Sequence, residues 1–161
     1  MRLAVRSAFA WLAFLSLGLV ASGLVLGELL RLQPCPLCIF QRVLYLLFAL
    51  FCLGGALLPG WRRWWAILAG LTAAGGLAAA AYQTWLQFSP AAANECGYGD
   101  PSLIEQLVEW LGVQWPAMFM ATGFCSSREW VFLGLSMANW SVVCFAGFLL
   151  AALLLLLRSG R

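Results

Sequence analysis

The sequence contains no histidine and no lysine, and charged side chains make up only 9% of its 161 residues. Each shortage excludes something. A c-type haem site needs His directly after a Cys-x-x-Cys motif, so none can form. A Cys/His metal centre would lack one of its two usual ligand types. Charge this sparse cannot clothe a soluble domain, in which about a quarter of residues are charged. What fills the space is apolar, at 64% of the chain. The solvent for most of it is therefore a bilayer, and the net charge of +3 carries no argument for nucleic-acid binding.

Four stretches hold no ionisable side chain other than Cys or Tyr: Ser7 to Gly27, Val43 to Trp61, Trp64 to Asn94 and Trp130 to Leu157. Each is long enough to cross the ~30 Å hydrocarbon layer as a helix. The expectation is an all-α membrane protein, one four-helix domain over 1–161. Its spans run over about 8–28, 41–59, 64–86 and 136–157, with outer loops over about 29–40 and 87–135. A cleaved signal peptide is the competing reading of Arg2, Arg6 and the run after them, but that run exceeds a typical signal core. Gly70, Ala74 and Ala78 are expected to let the third helix approach its neighbours closely. Most of the nine Trp residues lie near span ends, as interfacial anchors do.

All nine basic residues are Arg. Arg2, Arg6, Arg62, Arg63, Arg158 and Arg161 flank the spans on one side, and every acid falls on the other with Arg31, Arg42 and Arg128. The positive-inside rule then puts both termini and the Arg62-Arg63 turn in the cytoplasm. In the second outer loop, Leu103, Ile104, Leu107, Val108 and Leu111 recur at helical spacing opposite Glu105, Gln106 and Glu109. That is a short amphipathic helix, either flat on the outer leaflet or packed on the bundle mouth.

Topology sorts the six cysteines. Cys52 and Cys144 fall within spans and read as small buried hydrophobes. Cys35, Cys38, Cys96 and Cys125 map to the outer, oxidising side. Cys35-Pro36-Leu37-Cys38 stands just ahead of the second span, where a helix N-terminus favours a thiolate, and Arg42 follows Cys38 by four residues. Arg42 can instead anchor the helix by snorkelling to the headgroups. Cys96 and Cys125 close a loop of about thirty residues, for which a passive staple worth roughly 3 to 4 kcal/mol is one reading and redox exchange the other.

Cys35-Pro36-Leu37-Cys38-Ile39-Phe40-Gln41-Arg42, Cys96 in the long loop, and Thr122-Gly123-Phe124-Cys125 leading to Trp130-Val131-Phe132-Leu133-Gly134-Leu135 together resemble the DsbB family, over nearly the whole chain. The resemblance implies a monomeric enzyme of the bacterial inner membrane that reoxidises the periplasmic dithiol oxidase DsbA and reduces a membrane quinone, ubiquinone or menaquinone. It implies that Cys96 forms the mixed disulfide with DsbA, that Cys125 exchanges with Cys35, and that Cys38 faces the quinone, assisted by Arg42. A glutathione-type pool is too reducing to serve as acceptor, a known property of that system. Family members can carry His near the outer end of the third span; here Gln83 and Gln87 occupy that region. Vitamin K epoxide reductase-type enzymes also couple a membrane Cys-x-x-Cys to loop cysteines, but with the motif after the loop pair. A membrane scaffold with two structural disulfides is the non-enzymatic alternative.

Overall fold

The computed structural model describes residues 2–89, 102–128 and 130–159. Four long helices dominate: α1 (Arg2–Leu29), α2 (Pro36–Leu57), α3 (Arg62–Phe88) and, last in the chain, α6 (Met137–Ser159). All four are long and apolar enough to cross a membrane. The protein is a four-helix membrane bundle with two short helices, α4 (Leu103–Gln114) and α5 (Pro116–Phe119), and a two-stranded hairpin, β1 (Val131–Phe132) with β2 (Leu135–Ser136).

Helix ends follow local chemistry. α2 starts at Pro36, ahead of the expected span start near 41, because Cys35 caps it: the Cys35 Sγ accepts the Cys38 N–H at 3.3 Å, and proline suits the first helical position. Pro36, which fixes φ in the short connection that also holds Pro34, thus starts the helix. α3 stops at Phe88, short of the apolar stretch that runs to Asn94. The fourth apolar stretch begins at Trp130, but its first residues form the hairpin, whose turn uses positive φ at Leu133 (53°) and Gly134 (78°). Ser136 then leads into α6, accepting the Asn139 N–H on its hydroxyl at 3.4 Å.

α2 packs against both α1 and α3, and α3 against α6, while α1 and α6 barely touch. The bundle is therefore closed on three sides and open on the fourth. Ala66, Ala69, Ala73, Gly76 and Ala80 form the buried stripe of α3, spaced by three and four residues. Ala74 and Ala78, expected at close contacts, face outward, since they lie off that stripe. The stripe admits large rings: a Cβ on Gly76 would strike the Phe145 ring, which stacks on Tyr45 with centroids 4.1 Å apart. Gly55 does the same for Phe9, whose ring lies 2.6 Å from where a Cβ would sit. Phe48 stacks on Phe148 at 4.5 Å.

α4 begins with a capping box, in which Ser102 accepts the Glu105 N–H and Glu105 accepts the Ser102 N–H. Its buried Val108 packs with Ile39 of α2 and Phe119 of α5, so the helix seats on the bundle mouth. Leu103, Leu107 and Trp110 remain exposed.

Candidate functional site

The N-terminal turn of α2 places both cysteines of the Cys-x-x-Cys motif on one side. Their sulfurs lie 2.9 Å apart, Cys35 almost fully buried and Cys38 half-buried. Cys125 reaches them through a different part of the chain. The N–H groups of Thr122 and Gly123 both donate to the Pro34 carbonyl, at 2.9 and 3.1 Å, stitching the segment before Cys125 onto the residues before Cys35. Gly123 is needed there, because a Cβ would collide with the Gln33 carbonyl. Cys125 is thereby buried with Cys35, Leu37 and Leu86, and its sulfur hydrogen-bonds to that of Cys35. Cys35 is thus bracketed by two sulfur neighbours.

The bracket is electrostatically asymmetric. The Cys35 thiol donates toward Cys125 and holds the Cys125 thiol below its usual range, helped by a backbone hydrogen bond from Leu37. Cys35 itself is pushed up, first by its bond to Cys125, then by its contact with Cys38 and by burial. A thiolate in this pair therefore sits on Cys125, facing the Cys35 sulfur.

Two buried carboxamides complete the cluster. The Gln83 Nε2 donates to the Cys38 sulfur at 3.0 Å and to the Cys35 sulfur at 3.3 Å. Its Oε1 accepts the Gln41 Nε2 at 2.7 Å. The next glutamine on α3, Gln87, donates to the Ser127 carbonyl at 3.1 Å and accepts the Ser136 hydroxyl at 2.7 Å, tying the end of the Cys125 segment to α3 and to the start of α6. In the sequence Gln83 and Gln87 stood out only for occupying the region where family members can carry a histidine, and Gln41 only as part of the Cys35-to-Arg42 motif; their polarity within apolar helices was the signal for more.

Arg42 lies one turn beyond Cys38 on α2, and its Nη1 donates to the Met118 carbonyl, which holds it at the bundle mouth. Its charge acts on Cys38. A cavity of about 320 Å³ opens beside the cluster, between α1 and α6 where the bundle is not closed. Leu19, Val20 and Tyr45 give it apolar wall, while Cys38, Gln41 and Arg42 line its polar end. Of the site residues expected from sequence, Cys35, Cys38, Arg42 and Cys125 are thus gathered at one end of the bundle. Cys96 lies outside the described residues. Cys52 is buried among apolar side chains away from this cluster, and Cys144 lines the deeper cavity wall.

A helical membrane bundle that collects thiols and a buried donor network at one end defines a class: membrane-bound oxidoreductases that form disulfide bonds. Comparison with known proteins narrows it. The family model for disulfide bond formation protein DsbB matches residues 5–155. Disulfide bond formation protein B of Dechloromonas aromatica is 55% identical over 157 residues, covering 98% of this chain and 95% of the relative. The proteins of that name from Paracidovorax citrulli and Photorhabdus laumondii are 36% and 37% identical, with 98% and 94% of this chain covered and 90% and 89% of theirs. The chain belongs to the DsbB family.

Proposed function

We propose that this protein is an inner-membrane thiol:quinone oxidoreductase that reoxidises a periplasmic DsbA-like dithiol oxidase. The supporting observation is the row of sulfurs Cys125, Cys35 and Cys38, which ends at the wall of an apolar cavity beside Arg42. Cys96 receives the partner's thiolate, forming a mixed disulfide and releasing the Cys125 thiolate. That thiolate attacks the Cys35 sulfur: the Cys35–Cys125 bond forms, the Cys35–Cys38 bond breaks, and the electron pair leaves on Cys38. The backbone hydrogen bond from Leu37 to the Cys125 sulfur, which needs no thiol on Cys35, favours the Cys125 thiolate and suits it to the attacking role.

The cavity fits a quinone headgroup. Its volume lies within the roughly 300 to 1,000 Å³ of small-molecule sites, it is largely apolar, and its few polar groups converge at one end. A quinone bound there supplies an acceptor for two electrons and two protons. Cys38 presents its sulfur to the cavity, and Arg42 places a fixed cation where negative charge develops, at low dielectric and without reorganisation. The open side between α1 and α6 leaves an apolar route to the bilayer.

Arginine placement supports an orientation in which both termini and the Arg62-Arg63 turn are cytoplasmic and the sulfur cluster is periplasmic. The exposed Leu103, Leu107 and Trp110 of α4 then rest in the outer leaflet. The test is anaerobic reduction of ubiquinone-1 or a menaquinone analogue by purified protein with reduced DsbA as donor. Wild type forms one quinol per DsbA disulfide, Cys38→Ala and Cys96→Ala form none, and Arg42→Ala is slow. Absence of quinone reduction by wild type would leave a scaffold with structural disulfides as the better reading.

A further inference from the structure

Gln41 and Gln83 are each only 3% exposed, at the depth where α2 and α3 enter the membrane bundle. Burying two primary carboxamides is unfavourable unless their donors and acceptors are matched. They are matched to each other and to sulfur: Gln41 Nε2 to Gln83 Oε1, and Gln83 Nε2 to Cys38 and Cys35. The first bond decides the second. With an N–H already pointing at its oxygen, the Gln83 carboxamide must present its amino end to the sulfurs. Arg42 is directed elsewhere, to the Met118 carbonyl. Among the described hydrogen bonds, Gln83 is the side chain that donates N–H to both sulfurs of the motif.

An N–H donor bonds a sulfur anion more strongly than a thiol or a disulfide sulfur, because the bond becomes charge-assisted. In the exchange that opens the Cys35–Cys38 bond, the anion appears on Cys38, the sulfur nearer the Gln83 nitrogen. We propose that Gln83 is a catalytic hydrogen-bond donor to the departing Cys38 sulfur, and that Gln41 is the positioning residue that fixes the orientation of its amide. This inference rests on the relay proposed above. Bonds and electrons balance within the chain: Cys35–Cys125 forms, Cys35–Cys38 breaks, the electron pair passes to Cys38, and Gln83 gives up no proton. A carboxamide has no proton to lose in the working pH range, so the donor is present in every state of the cycle.

Two measurements on the full chain in detergent test this. In the first, quinone-depleted oxidised protein is mixed with reduced DsbA, quenched with acid, alkylated and mapped by mass spectrometry. Gln83→Met, which keeps length and removes the donor, is expected to open Cys35–Cys38 about tenfold more slowly, the loss due to one charge-assisted hydrogen bond. Reduction of Cys96–Cys125 by DsbA keeps its wild-type rate. In the second, the Cys35–Cys38 pair is equilibrated with dithiothreitol, which requires no relay. Gln83→Met shifts that equilibrium about tenfold toward the disulfide, and Gln41→Met shifts it the same way by about threefold. If Gln83→Met does not fold, Gln41→Met still decides. Wild-type opening rates with an unshifted equilibrium would overturn the donor role. Failure of wild type to pass electrons from DsbA to Cys35–Cys38, with the equilibrium shifted as stated, would sink the relay and leave the donor.

Discussion

Cys52 and Cys35 are both buried, on the same helix and about 26 Å apart along its axis at 1.5 Å per residue. They are surrounded by opposite designs. Around Cys52 the bundle is packed with rings against glycine and against one another: Phe9 on Gly55 and Phe48 on Phe148. Around Cys35, α2 and α3 bring Cys38 and two buried glutamines, the segment before the hairpin brings Cys125, and a cavity opens beside them. Burial alone therefore says nothing about a cysteine's role. What separates the two ends is whether a second sulfur can be reached and whether donors await the charge that an exchange creates.

The sharpest way to break the comparison is to exchange the roles. Cys38→Ala is expected to abolish quinone reduction, while Cys52→Ala keeps it within about twofold and costs about 1 to 2 kcal/mol for a small cavity. Both are read in the anaerobic quinone assay and by thermal denaturation in detergent. Loss of turnover in Cys52→Ala with the fold intact would erase the distinction. At the outer end, Gly123→Ala drives a methyl group into the Gln33 carbonyl and separates Cys125 from Cys35. Interloop exchange is expected to fall by at least about tenfold, roughly 1.4 kcal/mol in the barrier, while DsbA still reduces the loop pair. At the inner end, Gly55→Ala pushes on the Phe9 ring and is expected to cost about 1 to 3 kcal/mol, with unchanged exchange rates. A slowed exchange there would mean that the two ends are mechanically coupled.

The smallest effect concerns protonation. The Cys125 thiol is held below its usual range chiefly by the Cys35 thiol that donates to it. In Cys35→Ala that donor is gone, so the pH midpoint for iodoacetamide reaction at Cys125 should rise toward that of an ordinary thiol. Its reactivity at neutral pH falls accordingly, because a smaller fraction is thiolate. A midpoint that stays put would assign the effect to the Leu37 backbone.

Much of this architecture was readable from residues alone, and the reasons differ by element. The four spans were legible because charge is costly over the about twenty residues that cross a bilayer, so it is confined to the span ends, as at Arg42. The motif and Arg42 were legible from spacing on one helix. The early start of α2 was not, since it depends on a cysteine sulfur acting as a cap, a role that residue preferences give mainly to oxygen. The hairpin at 131–136 was hidden in an apolar run, for which only Leu133-Gly134 hinted at a turn. Nor could spacing show that Gln83 faces both sulfurs, or that Thr122 and Gly123 are stitched to Pro34, because both are contacts between distant parts of the chain.

The central claim is that Cys125 and Cys35 exchange directly. The most direct measurement is peptide mapping of Cys38→Ala after oxidation of its loop pair, with free thiols blocked by N-ethylmaleimide. With Cys38 gone, and at alkaline pH because burial pushes the Cys35 thiol up, Cys35 attacks Cys125 and displaces the Cys96 thiolate, so the expected product is a Cys35–Cys125 disulfide with Cys96 released and alkylated. An intact Cys96–Cys125 disulfide beside an alkylated Cys35 would contradict the account.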